Sequence, residues 1–91
     1  MSKRARKDSG SARRVLVVED DGGLRTLIEK ALAKAGFEVS GVANGAEAID
    51  GIAADPAQVL LLDQKLPDMS GREIVIALAG RGIQASFVMM T

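Results

Sequence analysis

Two short apolar runs in this chain each end in carboxylates. Val15-Leu16-Val17-Val18 runs directly into Glu19-Asp20-Asp21, and Val59-Leu60-Leu61-Leu62 runs into Asp63. A short continuous run of β-branched and aliphatic residues, bounded by polar ones, reads as a strand covered on both faces. That is the pattern of a parallel sheet. Parallel strands are joined by crossovers, usually helices, so the two runs direct the chain towards an α/β fold. Acidic groups at the end of a buried strand lose hydration and repel each other. Side by side at two strand ends they call for a cation. Carboxylate oxygens, with no Cys or His in the chain, favour Mg²⁺ or Mn²⁺ over Zn²⁺ and leave one carboxylate able to react.

Between and around these runs the pattern alternates. Leu24, Leu27, Ile28, Ala31, Leu32 and Ala35 recur at helical spacing, and Gly36 is placed to end that helix as a left-handed cap. Residues 37–42 read as a second strand. Asn44-Gly45-Ala46-Glu47 has the form of a capping box opening a second helix through about Ala54, which Asp55-Pro56 breaks. Residues 58–62 form the third strand and Leu66-Pro67-Asp68-Met69 a loop. Ser70-Gly71-Arg72-Glu73 is a further capping box, opening a helix with Ile74, Val75, Ala77 and Leu78 inward and Gly80 and Gly82 at its end. Residues 86–90 are a fourth strand, and the sequence ends at Thr91. The expected fold is therefore β-α-β-α-β-α-β. Open α/β sheets place their sites at the carboxyl ends of strands, where strand order reverses. With strand order 2-1-3-4, strands one and three are neighbours, and Glu19, Asp20 and Asp63 converge.

Composition removes several classes of function. The two aromatic residues, Phe37 and Phe87, form no platform for stacking bases or sugars. The absence of Cys excludes disulfides and thiolate chemistry, and the absence of His excludes an imidazole base, ligand or phospho-donor. The acidic loop after strand one lacks G-x-G-x-x-G, which disfavours dinucleotide binding. No apolar run is long enough to span a bilayer, so no membrane partner is expected. The basic start has no apolar segment behind it, so no signal peptide is read and the cytoplasm is the expected location. Residues 1–14 carry six basic residues against one acidic, whereas residues 15–91 carry six basic against eleven acidic. Residues 1–13 are expected to form a disordered basic tail, a solvated leader rather than a nucleic-acid or membrane-surface arm, ahead of one domain over residues 14–91.

Each acidic motif has a plainer explanation. One acid of Glu19-Asp20-Asp21 serves as a helix cap, and Asp21 is well placed for it. Capping accounts for one acid and not for three. Asp63 alone would read as a turn residue. Opposite the first cluster it becomes a candidate nucleophile, forming an acyl phosphate on attack at phosphorus.

Four blocks carry a family resemblance. Val15-Leu16-Val17-Val18-Glu19-Asp20-Asp21, Ala43-Asn44-Gly45-Ala46-Glu47-Ala48, Leu61-Leu62-Asp63-Gln64-Lys65-Leu66-Pro67-Asp68-Met69-Ser70-Gly71 and Val88-Met89-Met90-Thr91 together resemble the receiver domain of bacterial response regulators. The resemblance covers residues 14–91. It implies a flavodoxin-like doubly wound parallel sheet. It implies Asp63 as phospho-acceptor, Glu19 and Asp20 as the acidic pair holding Mg²⁺, and Lys65 as the residue whose backbone carbonyl binds the metal. Of the acidic pair, Asp20 matches the more direct ligand. It implies Thr91 as the switch hydroxyl and Pro67 and Gly71 as parts of the loop after the acceptor. The implied phospho-donor is a sensor histidine kinase or phosphotransfer protein, and the domain acts as an acceptor rather than an enzyme. Nucleic acid would be reached only through an output domain outside this sequence.

The family pattern continues past Thr91 with a helix-strand-helix unit, whose fifth strand carries a lysine that neutralises the phosphoryl group. No residues match these. Lys65 lies on the wrong loop to replace that lysine. The edge of strand four is expected to be covered by a second copy, by another chain, or by a continuation of a longer protein. Two other readings stand beside the phospho-acceptor. One is a receiver-like interaction module without phosphotransfer. The other is an aspartyl-nucleophile phosphohydrolase, disfavoured because Lys65 stands where that class wants a second Asp.

Overall fold

The computed structural model describes residues 13–56 and 58–90. The expectations placed on the tail, apart from Arg13, and on Thr91 lie outside those residues. Four parallel strands, β1 (Arg14–Val18), β2 (Glu38–Val42), β3 (Val59–Asp63) and β4 (Ser86–Met90), form one sheet in the order β2-β1-β3-β4. Crossover helices α1 (Gly22–Lys34), α2 (Gly45–Ala54) and α3 (Gly71–Gly80) connect them. The order is the one expected, and the strand ends align: Val18 pairs with both Val42 and Leu62, and Asp63 with Met90. None of the described helices is long and apolar enough to cross a membrane.

Local chemistry sets the boundaries. The α1 end closes as a Schellman motif: Phe37 N–H donates to the Leu32 carbonyl and Gly36 N–H to that of Ala33, with Gly36 at φ 102°. That use of the Phe37 amide is why β2 begins at Glu38 rather than at 37. The same motif ends α3, with Gly82 at φ 75° and Ile83 N–H on the Leu78 carbonyl. Strand three begins at Val59 rather than 58, because the Gln58 backbone amide turns back to the Asp55 carbonyl, and the Gln58 side chain is buried. Its amide donates to the carbonyls of Gly51 and Asp55, closing the end of α2, and its carbonyl accepts from the Ser40 hydroxyl.

The core lies on one face of the sheet. Leu16, Val18, Leu60 and Leu62 pack there against Ala48, Ile49 and Ile52 of α2 and Ile74 and Leu78 of α3. Val15 and Val17 point the other way and are also buried, so β1 is covered on both faces as its sequence predicts. β3 differs: Leu60 and Leu62 are buried, but Val59 and Leu61 only partly. The expected apolar stripe of α1 also differs, since no α1 residue is fully buried. The helix packs chiefly on β2 and β1. Ile28 and Leu32 are half-buried, while Leu27 remains 67% exposed.

Candidate functional site

Glu19 is the first residue past β1 and Asp63 the last of β3, and these strands are adjacent. Their ends bring three carboxylates together. Glu19, Asp20 and Asp63 each offer an oxygen, all within 4.8 Å of one another. Glu19 is buried, Asp63 half-buried and Asp20 exposed, so the cluster opens to solvent on one side.

The surroundings hold these groups without neutralising them. Burial pushes the Glu19 carboxyl above its ordinary range and the charge of Asp63 adds to the effect, while a hydrogen bond from the Asp21 amide at 3.1 Å opposes it. The Glu19 amide donates to the Val42 carbonyl at 3.1 Å, tying the end of β1 to the end of β2. Asp63 Oδ1 accepts from the Lys65 amide at 3.2 Å. Among the described residues no ion pair involves any of the three carboxylates. Three hard oxygens within one ion's reach, with no cationic side chain paired to them, fit Mg²⁺.

The other anticipated residues take separate places. Asp21 caps α1, its Oδ1 accepting from the Leu24 amide at 3.1 Å, as expected. Lys65 lies in the loop after Asp63 and bridges to Ser70, and the Gly71 amide donates to the Gln64 carbonyl at 3.0 Å, closing the loop at its base. Pro67 lies exposed at the tip of the loop.

Two residues near the site escaped the sequence reading. Arg25 donates from Nη1 to the Glu19 carbonyl at 2.8 Å. Its only signal is its place in the first turns of the helix after the acidic cluster. Asp68, read as a loop residue, caps α2 across the fold. Its Oδ1 accepts from the Gly45 amide at 2.8 Å and its Oδ2 from the Ala46 amide at 2.9 Å. No local pattern announces a cap that arrives from 22 or 23 residues away.

Comparison with known proteins agrees with this geometry. Residues 15–91 match the response regulator receiver domain family. The chain is 40% identical over 62 residues to the response regulator receiver protein CpdR of Brucella abortus, covering 68% of this chain and 52% of that protein. It superimposes on the signal receiver domain of a putative LuxO repressor from Vibrio parahaemolyticus with a TM-score of 0.78 at 32% identity, over 86% of this chain and 60% of that one. It is similar as well to the response regulator TrrA of Thermotoga maritima, solved in complex with Mg²⁺–BeF, with a TM-score of 0.77 at 27% identity over 85% of this chain and 67% of that one. The chain spans about half or less of the length of the curated relatives it matches, 52% of CpdR and 34% of the Mycobacterium tuberculosis regulator MprA. With the family match running from Val15 to the last residue and the sheet order agreeing, the chain belongs to the response regulator receiver domains of two-component signalling.

Proposed function

We propose that this domain takes a phosphoryl group onto Asp63 from the phosphohistidine of a sensor kinase or phosphotransfer protein. The observation that carries the reading is the meeting of Glu19, Asp20 and Asp63 within 4.8 Å at two adjacent strand ends. An Asp63 oxygen attacks phosphorus, the P–N bond to the donor imidazole breaks, and a mixed carboxylic–phosphoric anhydride remains on Asp63. Glu19 and Asp20, with the Lys65 backbone carbonyl, would hold Mg²⁺ beside it. The metal, when bound, offsets the charge that carboxylate and phosphoryl oxygens bring together. Buried Glu19 fixes the back of the site, while solvent-facing Asp20 and half-buried Asp63 meet the donor. The domain acts as an acceptor rather than as a turnover enzyme.

The test is incubation with acetyl phosphate and Mg²⁺, followed by intact mass and hydroxylamine lability. The parent chain is expected to gain one labile phosphoryl group and Asp63→Asn none. One observation favours a second reading, an interaction module without phosphotransfer: among the described residues no cationic side chain is paired with the cluster. No label on the parent chain in Mg²⁺ selects that reading. Rapid release of phosphate without accumulated label selects a hydrolase.

A further inference from the structure

The carboxylate of Asp68 sits outside the metal cluster, yet it closes a circuit around it. On one side, the Glu19 amide bonds to Val42, three residues before Gly45. On the other, Asp63 Oδ1 bonds to the Lys65 amide, three residues before Asp68. Both oxygens of Asp68 join the two sides through the amides of Gly45 and Ala46. The loop from Gln64 to Gly71 is pinned at its base by the Gly71 amide on the Gln64 carbonyl. Towards its tip, Met69 packs against the core and covers Gly45, where an added Cβ would stand 2.3 Å from Met69 Cγ.

The local cap meets only part of what the start of α2 needs. Asn44, the local cap, already accepts from the Glu47 amide at 2.9 Å. The Ala48 amide makes the first bond within the helix, to the Asn44 carbonyl. Asp68 supplies the Gly45 and Ala46 amides from a different loop, and backbone donors hold its carboxyl below the usual aspartate range.

We propose that Asp68 is a positioning residue, a clamp that fixes the loop bearing Lys65 against the N-terminus of α2, and so sets where the Lys65 carbonyl stands relative to the carboxylates that strand pairing has already brought together. The proposal rests on the phospho-acceptor reading above and deepens it.

The experiment is calorimetric titration of Mg²⁺ into the parent chain, Asp68→Ala, Asp68→Asn and Asn44→Ala, with the melting temperature of each measured without Mg²⁺. Loss of a partner bonded directly to a metal ligand typically weakens affinity by about 10- to 100-fold; Asp68 acts one step further out, so Asp68→Ala is expected at the low end, about 10-fold. Asp68→Asn should fall between it and the parent, because its one carbonyl oxygen accepts a single amide while its NH₂ faces the other. Asn44→Ala should lower the melting temperature but leave Mg²⁺ affinity unchanged, since it removes a cap without releasing the loop. If Asp68→Ala does not fold, the Asn variant decides alone. Parent-like Mg²⁺ affinity in the folded Asp68 variants overturns the clamp. Equal weakening by Asn44→Ala reduces it to ordinary capping and overturns it too. A parent chain that binds no Mg²⁺ overturns both the metal reading and the clamp, whereas failure of the clamp alone appears only in the variants.

Discussion

A methyl group added at Gly71 would stand 2.6 Å from Leu62 Cδ1, 2.8 Å from Met89 Sδ and 2.9 Å from the backbone oxygen of Asp63. The two side chains belong to a packed core, and the third contact is backbone at the end of β3. Relief therefore has to come from the loop itself. Overpacking of this kind costs about 1–3 kcal/mol, so Gly71→Ala is expected to lower the unfolding free energy by that amount, read as a lower urea midpoint at unchanged slope. A variant as stable as the parent would show that the loop yields freely. The family resemblance marks Gly71 as part of the acceptor loop, and its packing supplies the reason. At this scale the three carboxylates were legible because two apolar runs end in them, so pairing of the two strands brings them together. Arg25 and Asp68 were not legible. Their partners, the Glu19 carbonyl and the α2 amides, are backbone groups whose proximity depends on the finished fold.

Elements were legible wherever sequence-local chemistry decides them. Ser70 and Glu73 form the reciprocal capping box that their spacing announces, at 3.1 and 2.8 Å. The similar pattern at Asn44 is met only by half. Asn44 accepts from the Glu47 amide, but the Glu47 side chain accepts from the Ala43 amide instead of returning to Asn44. The α1 stripe shows the limit of periodicity. It identifies the helix and its inner face, but not how much of that face meets a neighbour. The cap from Asp68 gives α2 a pH dependence. Backbone donors, with Gly45 foremost, place the folded pKa of Asp68 below its ordinary value of 3.8. The stabilisation is therefore complete above the ordinary value and is lost as pH falls through the depressed folded one. Melting temperatures followed downward from neutral pH should drop more for the parent than for Asp68→Asn, which has no carboxyl to protonate. Parallel acid limbs for the two proteins would remove Asp68 from the account of acid lability.

Across the whole molecule, apolar burial is uneven. The face carrying α2 and α3 holds the core, while Leu24, Leu27, Ile76, Phe87 and Val88 are exposed. β4 pairs with β3 alone, so its other edge has no strand partner among the described residues. The β4 run, Ser86-Phe87-Val88-Met89-Met90, contains no charge or proline to discourage pairing with another chain. The isolated 91-residue chain is therefore expected to self-associate. Sedimentation velocity should show a weight-average coefficient that rises with protein concentration. Val88→Lys places a charge at a position 55% exposed on that edge strand, so it should shift the distribution towards monomer without unfolding the core. The order of the effect matters. Leu27→Lys, on α1 and remote from the β4 edge, should change association less than Val88→Lys if edge pairing drives it. Equal effects would assign association to the general apolar surface. A parent chain that stays monomeric at all concentrations would show that the four-stranded sheet tolerates its open edge unaided.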